Sequence, residues 1–317
     1  MTQSTGLLRL ATRGSPLALW QAGRVAELLT AAGTAAELVI VETEGDRRTD
    51  LPLSQLGGQG VFAKEVQAAV VRGEADAAVH SAKDLPASLE LAMPGLMLAA
   101  FPERGDPRDV LVGARFEDLA TGATVATGSA RRRVQLANLR PDLTFADLRG
   151  NMATRLAKAG SDGVTAVIAA RAPIDRLGWE PPVGMATDTL ELRTMLPQVG
   201  QGALAVECRD DDDVTMAALA AIDDRTVRRV VEAERAFLAE LGAGCTLPVG
   251  AHAVPKGPGS TDPGALHLTG MVARADGHVV LRHEATGTDG PSLGRSVARY
   301  LLDDAGGADL GPWRPES

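Results

Sequence analysis

The chain lacks the residues that staple small folds and those that mark membrane or nucleic-acid proteins. Two cysteines, Cys208 and Cys245, in 317 residues make no disulfide framework. Aromatic residues are only 3 %, so Leu, Val and Ala must fill the cores. No apolar run approaches the roughly 20 residues a membrane helix needs. Positive charge is in deficit. The 32 Lys and Arg against 41 Asp and Glu leave a net charge of −9, which argues against non-specific nucleic-acid binding through a basic surface. Residues 1–6 have neither the charged nor the apolar region of a signal peptide. The expectation is a reducing, cytoplasmic setting and a protein that binds no nucleic acid, membrane or metal.

What remains is an ordinary globular composition, 45 % hydrophobic and 23 % charged, long enough for two or three domains. Residues 7–11 read as a strand, 16–32 as a helix and 37–42 as a second strand, the signature of a parallel sheet with crossover helices. Ser15 is placed to cap that helix and Pro16 to begin it. Residues 44–60 form a long polar loop with Gly57-Gly-Gln-Gly60 but no Walker ending, and read best as a lid. After an amphipathic helix over 61–72, Ala77-Ala-Val-His-Ser-Ala-Lys-Asp-Leu-Pro86 runs from a buried strand into a cation, an anion and a proline. Ligands of open α/β sheets bind outside the carboxyl ends of strands, which places Ser81, Lys83 and Asp84 at a crevice. From these residues alone, a solvated Lys-Asp turn reads equally well.

The turns at 102–107 suggest a domain crossing, and a second α/β series follows. Three strand–turn–helix junctions carry arginine: Arg13, Arg131 to Arg133, and Arg149 with Arg155. Cations in the first turn of a helix oppose its dipole, and a local rule broken in this way marks a candidate site. Arg suits a bidentate grip on carboxylate or phosphate. The pattern points to a small polyanionic ligand, with solvated basic faces as the plainer alternative. Residues 196–208 return to an apolar strand, in which Cys208 reads as a small buried hydrophobe. Cys245 lies in Leu241-Gly-Ala-Gly-Cys-Thr-Leu-Pro248, a tight turn after a helix over 226–241. A nucleophile and an inert loop thiol fit it equally, and no adjacent His completes a protease pair. Strands over 266–272 and 278–284 flank Asp276-Gly277, a hairpin signal. A last helix spans 292–302, and 306–317 reads as a frayed end.

Six segments occur together and in order: Leu10-Ala-Thr-Arg-Gly-Ser-Pro-Leu-Ala-Leu-Trp20, Val79-His-Ser-Ala-Lys-Asp-Leu-Pro86, Thr127-Gly-Ser-Ala-Arg-Arg132, Leu148-Arg-Gly-Asn151 with Thr154-Arg155, Val199-Gly-Gln-Gly-Ala203, and Gly244-Cys245. In these the chain resembles the hydroxymethylbilane synthase, or porphobilinogen deaminase, family over nearly its whole length. The resemblance implies an α/β fold of two doubly wound lobes like those of periplasmic binding proteins, with a small C-terminal α+β domain. The expected boundaries are 1–101 with 202–222 for the first lobe, 102–201 for the second, and 223–317 for the domain bearing the cysteine. It implies a dipyrromethane cofactor on Cys245 through a thioether, and a monomer that adds four porphobilinogens head to tail with loss of ammonia.

By the same resemblance Asp84 is the catalytic carboxylate. Lys83, Thr127, Ser129, Arg131, Arg132 and Arg155 hold the cofactor. Arg13, Ser15, Arg149, Arg176 and Gln201 hold porphobilinogen and the growing polypyrrole. The chain departs from the family at Gln55 and Gln59, where lysines are common, at Pro173, where glycine is usual, and at Ala243 and Thr246 beside the cysteine. The residues without the resemblance would also suit a non-catalytic two-lobed anion binder, which needs neither Asp84 nor Cys245, or a thiol-dependent transferase for another carboxylated substrate.

Overall fold

The computed structural model describes residues 6–42, 61–88, 92–242, 247–257 and 264–313. The lid loop with Gln55 and Gln59, and the turn with Ala243, Cys245 and Thr246, lie outside the described residues. The chain divides into two compact units, 1–105 with 202–229 and 106–201 with 230–317.

β1 (Leu8–Arg13), α1 (Pro16–Ala31) and β2 (Ala36–Val41) open the first unit as the periodicity predicts. Ser15 caps α1, its Oγ accepting from the Ala18 amide at 3.3 Å, and Pro16 sits where a missing N–H is harmless. α2 (Val61–Val71) passes through Gly73, held at φ 73°, into β3 (Ala77–Ser81). A single 3-10 turn, Ala82–Asp84, ends that strand, and β4 (Leu96–Ala100) follows.

The second unit starts with β5 (Asp109–Gly113) and β6 (Thr124–Ala126), then α3 (Ala130–Leu139), β7 (Thr144–Ala146) and α4 (Met152–Leu156). β8 (Ala166–Ala170), α5 (Arg171–Arg176) and β9 (Ala186–Thr189) complete its sheet. The strand order is β7-β6-β8-β5-β9, with β6 parallel to both neighbours and β5 antiparallel to both of its own. Sequence reasoning did not find β5 and β9. β5 opens on a charge straight after a proline-rich turn, and β9 reads Ala-Thr-Asp-Thr, too polar for an apolar-run search.

β10 (Leu204–Arg209) and α6 (Asp213–Ala220) return to the first unit, whose order is β2-β1-β3-β10-β4. Both sheets follow one plan: three parallel strands, then an antiparallel strand supplied by the segment that has just entered the unit. Leu10, Val25, Leu29, Val79 and Leu219 pack on one face of the first sheet, and Ala11, Val66, Val70 and Ala78 on the other. Each large aliphatic side chain buried this way contributes roughly 1.5–3 kcal/mol. Apolar residues on both faces leave the strand ends, rather than the strand middles, for polar chemistry.

α7 (Arg225–Glu240), β11 (Val249–Pro255), β12 (Leu266–Ala273), β13 (Val280–Gly287) and α8 (Gly290–Arg299) form the small C-terminal α+β part, with the sheet in the order β11-β12-β13. A Cβ on Gly270 would lie 2.6 Å from Phe237 Cε2, so the glycine lets α7 rest directly on β12. The expected fraying past residue 306 is corrected. Trp313 is buried and its Nε1 donates to the Gly307 carbonyl at 2.6 Å, so the indole anchors the chain as far as 313. The fold is thus the expected one of two doubly wound α/β sheets with a small C-terminal α+β part.

Candidate active site

In the first unit β1 and β3 are parallel neighbours, so Arg13 and the Ser81–Asp84 turn leave the sheet at the same edge. The turn is pinned from several sides. Gln21, buried on α1, donates to Ser81 Oγ at 2.7 Å, and the Ala82 amide donates to the Ala203 carbonyl at 2.9 Å. Leu85 is buried just behind it. Backbone and apolar groups therefore fix the peptide, while the Asp84 side chain stays exposed and Lys83 half-buried. His80 lies in the preceding strand, its Nε2 3.1 Å from Glu207 Oε2, and that oxygen also accepts from Gln67 Nε2 at 2.7 Å.

In the second unit β7, β6 and β8 end side by side at one sheet edge. Thr127 and Ser129 follow β6, Arg149 follows β7, and Arg176 closes α5 after β8. Gly128 is required there, because a Cβ would lie 3.0 Å from the Leu148 carbonyl where the two strand ends converge. Ser129 stands at the N-cap position of α3, where a serine ordinarily caps through its hydroxyl. Its side chain makes no capping bond, and Thr127 Oγ1 instead accepts from the Ser129 amide at 3.1 Å. Asn151 does cap its short helix, accepting from the Thr154 amide at 2.9 Å, and Arg155 Nε donates to the Gly150 carbonyl at 2.7 Å. Arg149 is exposed. Pro173 is buried as the third residue of α5, inside the first turn where no helical N–H partner is lost.

Arg131 and Arg132 are neutralised by a residue outside their own helix, one that the motif reading missed. Both pair with Asp109, whose side chain is fully buried: Arg131 Nη1 lies 2.8 Å from Oδ2 and Arg132 Nη2 2.8 Å from Oδ1. Gln201 Nε2 donates to the same Oδ1 at 2.9 Å and to the Pro107 carbonyl at 2.7 Å. Burial alone would raise the Asp109 pKa; the charges of Arg131 and Arg132 outweigh it and hold the carboxyl at about 2. The benefit is unequal, since burial pushes the Arg131 guanidinium down from its ordinary value against the pull of Asp109. Arginine nonetheless stays protonated in proteins. Arg131 is therefore an interior group, its Nη1 also bonded to the Leu196 carbonyl at 2.6 Å, whereas Arg132 retains some exposure. One signal for Asp109 was available: an acid opening an apolar run, upstream of cations in need of a counter-charge.

Two family models match the chain: porphobilinogen deaminase, dipyromethane cofactor binding domain, over residues 8–217, and porphobilinogen deaminase, C-terminal domain, over residues 228–303. The porphobilinogen deaminase of Syntrophus aciditrophicus is 42 % identical over 94 % of this chain and 96 % of its own length. That of Xanthomonas euvesicatoria is 45 % identical over 93 % and 96 %. The chain belongs to the porphobilinogen deaminase family. Among solved structures it is similar to the VFT2 domain of Bordetella pertussis BvgS, at 17 % identity and a TM-score of 0.41 over 68 % of this chain and 86 % of that one.

Of the residues that the family resemblance singles out, Arg13, Ser15, Lys83 and Asp84 gather at one edge of the first sheet. Thr127, Ser129, Arg132, Arg149, Arg155 and Arg176 follow the parallel strands of the second sheet. The donor set on that second edge is cationic and hydroxyl-bearing, which fits a group carrying several carboxylates. Arg131 Nε is buried without a hydrogen-bond partner among the described residues, in keeping with an interior role for this side chain.

Proposed function

We propose that the chain works as a hydroxymethylbilane synthase: a transferase that joins four porphobilinogens head to tail, releases ammonia at each addition, and frees the linear tetrapyrrole hydroxymethylbilane for porphyrin biosynthesis by cleavage with one water, which supplies its hydroxyl. The observation that carries this reading is the pairing of chemistries within one family chain. One sheet edge presents an exposed carboxylate on a pinned turn, and the other presents arginines and hydroxyls.

The dipyrromethane cofactor, held covalently by Cys245, supplies the pyrrole to which the first substrate is joined. Thr127, Ser129, Lys83, Arg131, Arg132 and Arg155 serve it. Arg132 and Arg155 bind carboxylates as charge-assisted partners, on the order of 1.5–3 kcal/mol each, and Arg131 acts from the interior by fixing Asp109. Arg13, Ser15, Arg149 and Arg176 serve porphobilinogen and the growing polypyrrole, and Gln201, which is fully buried, acts behind them through Asp109. Asp84 faces the positive charge that develops on the substrate pyrrole as its amine leaves, and lowers the barrier by electrostatic stabilisation. Its own flexibility is small because Ala82 and Leu85 hold the peptide, so little reorganisation is needed at the moment of reaction. We infer a cytoplasmic monomer with lobes at 1–101 with 202–222 and at 102–201 and a cysteine-bearing domain at 223–317, in keeping with the composition and the order of the motifs.

Intact-mass measurement of the purified protein tests the reading. The expected result is a covalent adduct on Cys245 that is absent from Cys245→Ser, together with consumption of porphobilinogen. A bare polypeptide mass and no consumption would sink it and favour a non-catalytic anion binder.

A further inference from the structure

Glu234 is a fully buried carboxylate on α7 with no part in the mechanism above. Its Oε2 accepts from the Gly200 amide at 2.8 Å and its Oε1 from the Ala253 amide at 2.9 Å, with His252 Nδ1 3.3 Å from Oε1. One side chain thus joins three separate segments: the helix before Cys245, the strand β11 after it, and the turn at 197–201. β11 is the edge strand of its sheet, so alternate amides point away from β12. Two of these outward amides find partners here, since the Ala251 amide donates to the Pro197 carbonyl at 3.1 Å and the Ala253 amide donates to Glu234. Gly250, the residue before Ala251, permits the approach, because a Cβ would lie 2.8 Å from the Pro197 carbonyl and 3.3 Å from Arg131 Cδ.

The turn carries this connection onward. The Gln201 amide donates to the Gln198 carbonyl at 2.9 Å, and Gly200 takes φ 70° to close the turn. Gln201 then binds Asp109, which pairs with Arg131 and Arg132. A buried carboxylate is a poor device for stability alone, since apolar packing of similar volume often serves as well or better. Two backbone donors from different segments converging on it instead fix position. We propose that Glu234 is a positioning residue for cofactor attachment: it clamps the two segments that flank Cys245 to the turn that sets Asp109 and, through it, Arg131 and Arg132.

The proposal rests on the reading of Cys245 as the attachment point, and the test separates the two. Cofactor-free wild type and Glu234→Gln are incubated with porphobilinogen, and adduct mass is followed in time alongside circular dichroism, Tm and amide hydrogen exchange. Glutamine keeps the volume but replaces one acceptor oxygen with an NH2 that cannot accept from an N–H. The expected result is a folded variant that acquires the adduct at least tenfold more slowly than wild type. The Gly200 or Ala253 amide should lose protection while the β1 and β3 amides keep theirs. The fraction that does load should keep its KM for porphobilinogen within about twofold. Loading of folded variant within twofold of the wild-type rate overturns the proposal. Should Glu234→Gln fail to fold, Glu234→Asp retains the charge on a shorter stem and is read by the same loading and exchange criteria. A wild type that neither loads nor consumes porphobilinogen defeats the reading of Cys245, while the exchange arm still decides whether Glu234 holds the two amides.

Discussion

Gln201 Nε2 donates to Asp109 Oδ1 at 2.9 Å, and this bond joins the turn at 197–201 to a carboxylate that already neutralises two arginines. Removing the charge while keeping the shape isolates its contribution. Asp109→Asn leaves Arg131 buried without its counter-ion, and breaking a buried pair from one side costs about 3–5 kcal/mol. Urea unfolding should show a loss of that size with an unchanged m-value. A loss below about 1 kcal/mol would mean that solvent or another group compensates Arg131.

The same carboxylate gives the protein an acid-sensitive term. Its folded pKa is depressed from 3.8 to about 2 by Arg131 and Arg132, against burial. Such a group contributes stability in full above its unfolded pKa, and the contribution fades as pH falls through the folded value. Wild type should therefore lose stability between about pH 4 and pH 2 by on the order of 2 kcal/mol more than Asp109→Asn does. Parallel curves for the two proteins over that window would contradict the pairing.

Those two results bear on what the sequence can reveal. The arginines of α3 are visible because they oppose the helix dipole, and the resemblance gives them a ligand. Their partner is easily missed because Asp109 lies more than twenty residues upstream, in a strand whose polar first residue resembles loop. α1 is legible because its buried face repeats at helical spacing, and β1 and β3 because they are short apolar runs buried on both faces. Neither signal finds β9, which has only four residues and is placed by its register with β5. Ser129 shows the opposite case, in which a strong local preference for capping is overridden. Thr127 Oγ1 takes the Ser129 amide, and the Ser129 side chain makes no cap bond. Trp313 anchors the chain as far as 313 through one indole and one carbonyl six residues back, a contact that no hydrophobic periodicity announces.

Asp84 tests the chemistry rather than the fold. It is exposed on a turn whose position depends on Gln21, Ala203 and Leu85, none of which contacts its carboxylate in that role. Asp84→Ala should keep the wild-type Tm within about 2 °C, since exposed substitutions usually change stability by less than 0.5 kcal/mol. Steady-state turnover should fall by far more than tenfold. Retention of more than about a tenth of wild-type kcat, a barrier change under roughly 1.4 kcal/mol, would remove Asp84 from the role assigned to it.

The two cysteines should differ sharply toward alkylating reagents. Cys208 lies inside the first sheet, fully buried among Leu8, Val206 and Leu219. Burial, followed by the nearby charge of Asp212, pushes its thiol up to about 11. At pH 8 its thiolate is therefore only about one part in a thousand, and reagent must still reach it through the core. Cofactor-free protein treated with iodoacetamide under native conditions should take one label, on Cys245, and none on Cys208. Holoprotein should take none, because the thioether occupies Cys245. Adding denaturant should bring in one further label, on Cys208. Peptide mapping by mass spectrometry reads each site separately. Rapid native labelling of Cys208 would show that the β3–β10–β4 side of the sheet opens far more readily than its burial implies.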